Sequence, residues 1–377
     1  MVKFLHTSDW QMGMRATQAG LKAKEVRNTR FEAALRVVNL AKENQVEFVV
    51  IAGDVFEHHD VDEVVVKRTV DILNEFAPIA VFVLPGNHDP YVPGGVWDRQ
   101  SWNRIESHVT LLKEPKEIEF TEEVAIYPCP LTQKRSTLDP TSWIPQRAKG
   151  DTRIRVGIAH GALDVLPDEV NFPISRERPD SSGLDYLALG DWHSPLQHGR
   201  AVYSGTMEPT SYSERDPGYA AIVEILSFGE EPAITRQQTR ILTWTEFTPT
   251  IRDASDVEEL DKAIKSTGSL ESSLLRIKPV FDLPADDDAV NHLQVLKKEL
   301  EERAFLLEWH DDPNSFAELD LTARLPDGTL LLVDEALSMI LEGRIPDEPA
   351  HLFAGEERST VQDARRLLHR LARGESE

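Results

Sequence analysis

Five short clusters in the first half of the chain carry side chains able to hold divalent cations. They are Thr7-Ser8-Asp9-Trp10-Gln11, Ala52-Gly53-Asp54-Val55-Phe56, Gly86-Asn87-His88-Asp89, Ala159-His160-Gly161 and Leu189-Gly190-Asp191-Trp192-His193. Each places Asp, Asn, Gln or His just after an apolar run. Carboxylates, amide oxygens and imidazoles are the ligands divalent cations take. The neighbouring glycines let backbone turn sharply and approach a site closely. Singly the signals are weak: a Gly-Asp after a strand is more often a turn, and Asn-His-Asp suits an Asx turn. As an ordered set at strand ends, with no packing purpose, the five predict a metal site.

The elements that must position them are legible as apolar runs. Strands are predicted at Val2 to His6, Phe48 to Ala52, Ile79 to Leu84, Val124 to Tyr127, Ile154 to Ala159, Tyr186 to Leu189, Ala201 to Ser204 and Tyr219 to Ile225. Phe31, Leu35 and Val38 recur at helical spacing, and Val61 to Phe76 reads as a second helix. Alternating strand and helix implies an α/β layered domain with a largely parallel start. The polar clusters then fall at the C-terminal ends of strands, where open α/β sheets place ligands. From about residue 242 the pattern changes to a small α+β module. It has strands at Leu242 to Thr248, Leu274 to Phe281 and Phe305 to Trp309, and helices at 256–266 and 287–304. Asp311 to Ser315 breaks it, and a last helix is expected near 360–373. That helix carries Val361, Ala364, Leu367, Leu368 and Leu371 on one face, with Arg365, Arg366, Arg370 and Arg373 nearby. It either covers its own domain or docks on a partner.

The bulk composition bounds the function. The chain has 377 residues, 40% of them hydrophobic, and fits two domains, or one large domain plus an accessory one. No stretch approaches the ~20 apolar residues that span a bilayer. The polar start implies no signal peptide, and a cytoplasmic location is the default expectation. The single cysteine, Cys129, excludes an internal disulfide framework and a thiolate zinc cluster. Net charge is −24; residues 1–240 carry 35 acids against 26 bases, and the remainder 30 against 15. Such acidity argues against a free-standing nucleic-acid binder, which needs clustered Lys and Arg. Basic stretches at Lys22, Lys24, Arg27 and Arg30, and at Lys134 and Arg135, are either solvated faces or phosphate contacts.

The order and wording of the clusters resemble the calcineurin-like metallophosphoesterases, and within them the SbcD-type nuclease subunits of SMC-like DNA repair complexes. The likeness rests on Leu5-His6-Thr7-Ser8-Asp9-Trp10, Ala52 to Phe56, Leu84 to Asp89 and Asp185 to Gly190. Tyr203 to Thr210 resembles the family's Gly-Ser-x-Glu-Arg stretch, with Pro209 where Arg is usual. The likeness covers about residues 1–230. The resemblance implies a layered β-sandwich flanked by helices (1–240), a small α+β capping domain (241–312) and a C-terminal segment with a possible docking helix (313–377).

It also implies roles. Asp9, Gln11, Asp54 and His193 hold a first metal, and Asp54, Asn87, His160 and Asp191 a second, with Asp54 shared. His88 stands beside the scissile phosphate and stabilises or protonates the leaving oxygen, and Asp89 orients His88. Two cations ~3.5–4 Å apart clamp an in-line phosphoryl displacement and lower the pKa of water. The family usually has Asp-x-His at the first motif and Gly-His-x-His at the last. Here Gln11 and Asp191 replace two imidazoles with oxygen donors, which favours Mn²⁺, with Mg²⁺ possible, over Zn²⁺.

The expected activity is cleavage of DNA in repair, as exonuclease or endonuclease, with an SMC-like (SbcC-type) ATPase partner. A homodimer through Val61 to Phe76 goes with it. The alternatives are a small-molecule or cyclic-nucleotide phosphodiesterase without a partner, and a weakly active metal-binding scaffold. His58 and His59 are candidates to face substrate, though loop histidines are commonly just solvated. His198 is expected to be structural. Trp10 and Trp192 either stack on a base or pack beneath the metals.

Overall fold

The computed structural model describes residues 1–166, 171–281, 287–310 and 328–344, with Thr360, Val361, Ala364, Arg365 and Leu368. The chain divides into two compact units, Met1–Thr243 and Trp244–Glu377.

The first unit holds β1 (Val2–Thr7), α1 (Ala23–Glu43), β2 (Phe48–Ile51), α2 (Glu63–Asn74), β3 (Ala80–Val83), β4 (Val109–Leu111), β5 (Ile118–Thr121) and β6 (Val124–Cys129). It continues through β7 (Ile154–His160), α3 (Arg178–Ser182), β8 (Tyr186–Gly190), β9 (Leu196–His198), β10 (Ala201–Tyr203), β11 (Tyr219–Ile225) and β12 (Ala233–Gln238). These form two six-stranded sheets, ordered β12-β11-β1-β2-β3-β4 and β5-β6-β7-β8-β10-β9. In the first sheet β1 to β4 run parallel, and β11 pairs antiparallel with β1. In the second, β6, β7, β8 and β10 run parallel.

The period of two along each strand explains the layering. Phe4, Phe48, Val50 and Phe82 from the first sheet meet Ile126, Val156, Ile158 and Ala188 from the second in one buried layer. The alternate residues Leu5, Val49, Ile51, Val81 and Val83 face outward onto Val37, Val38 and Leu73 of α1 and α2. Tyr127, Ala159, Leu187 and Leu189 do the same on the far side of the second sheet. Because both faces of these strands are covered, they read as continuous apolar runs. Each large side chain buried this way contributes roughly 1.5–3 kcal/mol. The result is a mixed α/β sandwich with helices outside, as the fold class anticipated.

The parallel strands of each sheet end at one edge, and the metal-motif clusters start there. Asp9 follows β1, Asp54 follows β2, Asn87 follows β3, His160 ends β7 and Asp191 follows β8.

The second unit contains β13 (Thr243–Phe247) from its second residue on, β14 (Thr250–Ile251), α4 (Ala254–Ser266), β15 (Ser273–Ile277), β16 (Val280–Phe281), α5 (Asp287–Arg303), β17 (Leu306–Trp309) and α6 (Thr329–Leu341). The single strand expected over Leu274 to Phe281 is two. Pro279 lacks the N–H that a central strand needs, and β15 and β16 join different sheets on either side of it. The break at Asp311 to Ser315 lies outside the described residues, as does most of the helix expected at 360–373.

Candidate metal centre

Four of the expected ligands stand on backbone that L-residues avoid: φ is 52° at Asp9, 47° at Gln11, 52° at Asp54 and 100° at Asp191. Left-handed backbone at a residue other than glycine costs on the order of 1–3 kcal/mol and persists only where surroundings impose it. The imposing contacts are backbone bonds that continue the pairing of β1 and β2 into their loops. Asp9 N donates to the Gly53 carbonyl at 3.1 Å, and Gln11 N donates to the Asp54 carbonyl at 3.0 Å. The second sheet joins through Asp191 N, which donates to Asp9 Oδ1 at 3.1 Å. Two glycines make the convergence possible. A Cβ on Gly86 would lie 2.1 Å from Asp54 Oδ1, and one on Gly190 would lie 2.1 Å from the Ala52 carbonyl oxygen.

The convergence point gathers carboxylates around a buried histidine. Ligand atoms of Asp9, Asp54 and His160, all buried, lie within 4.8 Å of one another. His160 Nδ1 lies 2.9 Å from the Ala52 carbonyl oxygen. A carbonyl only accepts, so Nδ1 carries the proton and Nε2 of the neutral ring is left with a lone pair. That Nε2 faces oxygens only: Asn87 Oδ1 at 2.8 Å, Asp54 Oδ1 at 3.4 Å and Asp191 Oδ1 at 3.7 Å. A lone pair among oxygen acceptors is stable only if a proton or a cation lies between them. Burial alone would lower the His160 pKa, yet the Asp54, Asp9 and Asp191 carboxylates raise it well above its usual value. Burial also raises Asp9, against the pull of His193 and His160. At Asp54 burial is outweighed by His160 and His88, which hold it at about 2. Gln11 Nε2 donates to Asp54 Oδ2 at 3.0 Å, while the buried Gln11 Oε1 has no hydrogen-bond partner. The donor set, the orphaned amide oxygen and the glycine-lined cradle all fit divalent cations.

His193 sits at the rim. Its Nδ1 donates to Glu214 Oε1 at 2.6 Å, which turns Nε2 toward Asp9, 4.0 Å from Oδ1. Burial opposes the imidazolium, but the Glu214 bond and the Asp9 charge raise His193 to about 9. A carboxylate holding one imidazole nitrogen so that the other can ligate is the usual support of a metal-binding histidine.

The family model of the calcineurin-like phosphoesterases matches residues 2–227. The chain belongs to this family. The phosphoesterase is 28% identical over 259 residues to the DNA double-strand break repair protein Mre11 of Aeropyrum pernix, spanning 63% of this chain and 60% of that protein. It is 26% identical over 247 residues to the protein of the same name from Methanosarcina mazei, spanning 61% of this chain and 37% of the relative. The chain therefore spans less than two thirds of the length of these curated relatives. The solved structure of Yfce, a phosphoesterase from E. coli, aligns with 63% of this chain and 99% of its own at 14% identity, with a TM-score of 0.29.

Within this phosphoesterase the remaining expected residues fall as follows. His88 lies at the mouth, its side chain 43% exposed, with Nε2 4.0 Å from Asp54 Oδ2. Its position is fixed by Glu57, whose carbonyl lies 2.9 Å from His88 Nδ1. Asp89, expected to orient His88, has other partners. Its oxygens accept from Gly86 N at 2.7 Å and Phe56 N at 2.9 Å, so it pins the second and third motifs together. Burial, with Asp54 nearby, raises it to about 7. Trp10 is fully buried and donates to Thr7 Oγ1, so it packs beneath the site. His58 lines the cleft beside His88, whereas His59 Nδ1 accepts from Val96 N. His198 is exposed at the end of β9.

Sequence reasoning missed Glu214 and misread Arg30. Arg30 is neither a solvated face nor a phosphate contact. It is buried, and its guanidinium donates to the carbonyls of Trp10, Asp9, Glu208 and Pro209 and to Thr206 Oγ1. It thereby ties α1 to the first motif and to the segment after β10. A spacing signal for Glu214 existed only in hindsight: it lies four residues past Thr210, whose N–H it also accepts at 2.9 Å.

Proposed function

We propose that this calcineurin-like phosphoesterase is a two-metal phosphodiesterase that cleaves DNA. Asp9, Gln11, Asp54 and His193 would hold one ion, and Asp54, Asn87, His160 and Asp191 the other. The observation that carries the reading is His160 Nε2, which faces the oxygens of Asn87, Asp54 and Asp191. When bound, the ions would neutralise the phosphate and lower the pKa of the attacking water. The oxygen-rich donor set favours Mn²⁺, with Mg²⁺ second.

The chain's own residues supply the rest. His88, exposed at the mouth with Nδ1 donating to the Glu57 carbonyl, has Nε2 left for the substrate; with a second proton on Nε2, as the imidazolium, it would stabilise or protonate the leaving oxygen. Asp89 acts as a positioning residue through the backbone of its two loops. DNA as substrate and a role in repair are proposed with it, supported by the similarity to two proteins named for double-strand break repair; an SMC-like ATPase partner and a homodimer through α2 are proposed from the resemblance of the motifs to SbcD-type subunits. A capping role for the second unit is proposed from its order of elements alone, which resembles that of the SbcD-type capping domain. The net charge of −24 favours a second reading, a phosphodiesterase acting on a small ester without a partner.

The test is hydrolysis by wild type and Asp54→Ala with Mn²⁺, on linear duplex, single-stranded DNA and bis-p-nitrophenyl phosphate. Cleavage of DNA by wild type alone is expected. Hydrolysis of the small ester with both DNAs intact would establish the second reading, and metal binding without any hydrolysis would leave a scaffold.

A further inference from the structure

Beside the metal centre lies an open cleft of about 600 Å³. That is within the ~300–1,000 Å³ typical of ligand clefts. Gln11, His88 and His193 line it on the side of the proposed ligands, and Arg15, Gln18 and His58 are among its other walls. Among the described lining residues Glu57 is the one carboxylate, and its Oε1 lies on the His88 side, 4.0 Å from His88 Nδ1. Among the described residues that line it, Arg15 is the one with a permanent positive charge. Its side chain is exposed and its guanidinium has no hydrogen bond or ion pair among the described residues.

The backbone beneath Arg15 is held in place. Arg27 Nη1 donates to the Arg15 carbonyl at 3.0 Å, and Met14 N donates to the Gln11 carbonyl at 3.2 Å. Ala16 takes φ of 52°, which turns the chain into the short helical segment Thr17–Lys22. From that segment Gln18 Nε2 donates to the Thr210 carbonyl at 2.9 Å. Thr210 in turn bonds Glu214, the support of His193. The loop bearing Arg15 is thus anchored to the element that sets one proposed ligand, while the guanidinium is left for a partner.

We propose that Arg15 binds a phosphate adjacent to the scissile one on a nucleic-acid strand lying in this cleft. The inference rests on the nuclease reading above. A strand brings several negative charges to a chain that is itself strongly acidic. The metal centre answers only the phosphate being cleaved, so the neighbouring one needs a fixed cation. A planar guanidinium, which pairs with phosphate through two parallel bonds, suits that task. A single-phosphate ester has no second phosphate for it to meet.

The test compares kcat/KM on an oligodeoxynucleotide and on bis-p-nitrophenyl phosphate, with Mn²⁺, for wild type, Arg15→Gln and Arg15→Lys. In Arg15→Gln the ratio of the two is expected to fall roughly tenfold or more, as loss of a charge-assisted bond implies, and chiefly through KM for DNA. The salt dependence of DNA cleavage should weaken by about one counterion, and Arg15→Lys should restore it. DNA cleavage by wild type with an unchanged ratio in Arg15→Gln overturns this inference alone. Ester hydrolysis without DNA cleavage in wild type overturns the nuclease reading and this inference with it.

Discussion

Glu214 shows how much of this site depends on residues that touch no phosphate. Its carboxylate takes His193 Nδ1–H and Thr210 N–H, and so decides where His193 Nε2 points. Glu214→Gln keeps the shape and removes the charge. Mn²⁺ affinity at the proposed first site is expected to fall roughly 10–100-fold, read by calorimetric titration; unchanged affinity would show that His193 needs no such support. Gly190 is a second such position. Its Cβ would press on the Ala52 carbonyl and on His160 Nδ1, 2.7 Å away. Gly190→Ala should lower stability by about 1–3 kcal/mol and weaken Mn²⁺ binding together, because the carbonyl that fixes the His160 tautomer must move. Thermal unfolding with and without Mn²⁺ checks both.

Among the elements, β1 carries a charge-sensitive position in the layer between the sheets. His6 is fully buried, its Nδ1 is 3.0 Å from the Tyr186 hydroxyl, and burial lowers its pKa from 6.5 to about 3. The native state keeps it neutral, while the unfolded chain takes up a proton below pH 6.5. Stability is therefore full above pH 6.5 and lost as pH falls toward 3, by roughly 3–5 kcal/mol for this group. Unfolding followed from pH 7 to pH 4 should show that slope, and His6→Leu should flatten it; an equal slope in the variant would place the acid sensitivity elsewhere. The elements also show what a sequence reveals and what it hides. Central strands such as β2 and β7, covered on both faces, stand out as Phe48 to Ile51 and Ile154 to His160. The edge strands β5 and β12 escaped notice because half or more of their residues face solvent. The apolar helix α6 was also missed.

For the molecule as a whole, the sequence exposed the proposed ligand residues but not the contacts that hold them. Asp9, Asp54, Asn87, His160 and Asp191 each follow or end a readable strand, so the ends of parallel strands bring them together. Glu214 and Arg30 act across distances that only the fold closes, and a buried arginine on α1 looks like any surface base in sequence. Burying this many carboxylates in a chain of charge −24 leaves the centre dependent on cations. Mn²⁺ at a hundredfold excess over its Kd should add about 2.7 kcal/mol to stability. Chelation should remove that gain, and Asp54→Ala should show none. The most direct test is titration of the metal-free protein with Mn²⁺, followed by electron paramagnetic resonance. Two ions per chain, magnetically coupled in wild type and uncoupled or absent in Asp54→Ala, are the expected result; a single isolated ion in wild type, or a coupled pair that survives in Asp54→Ala, would contradict a shared Asp54.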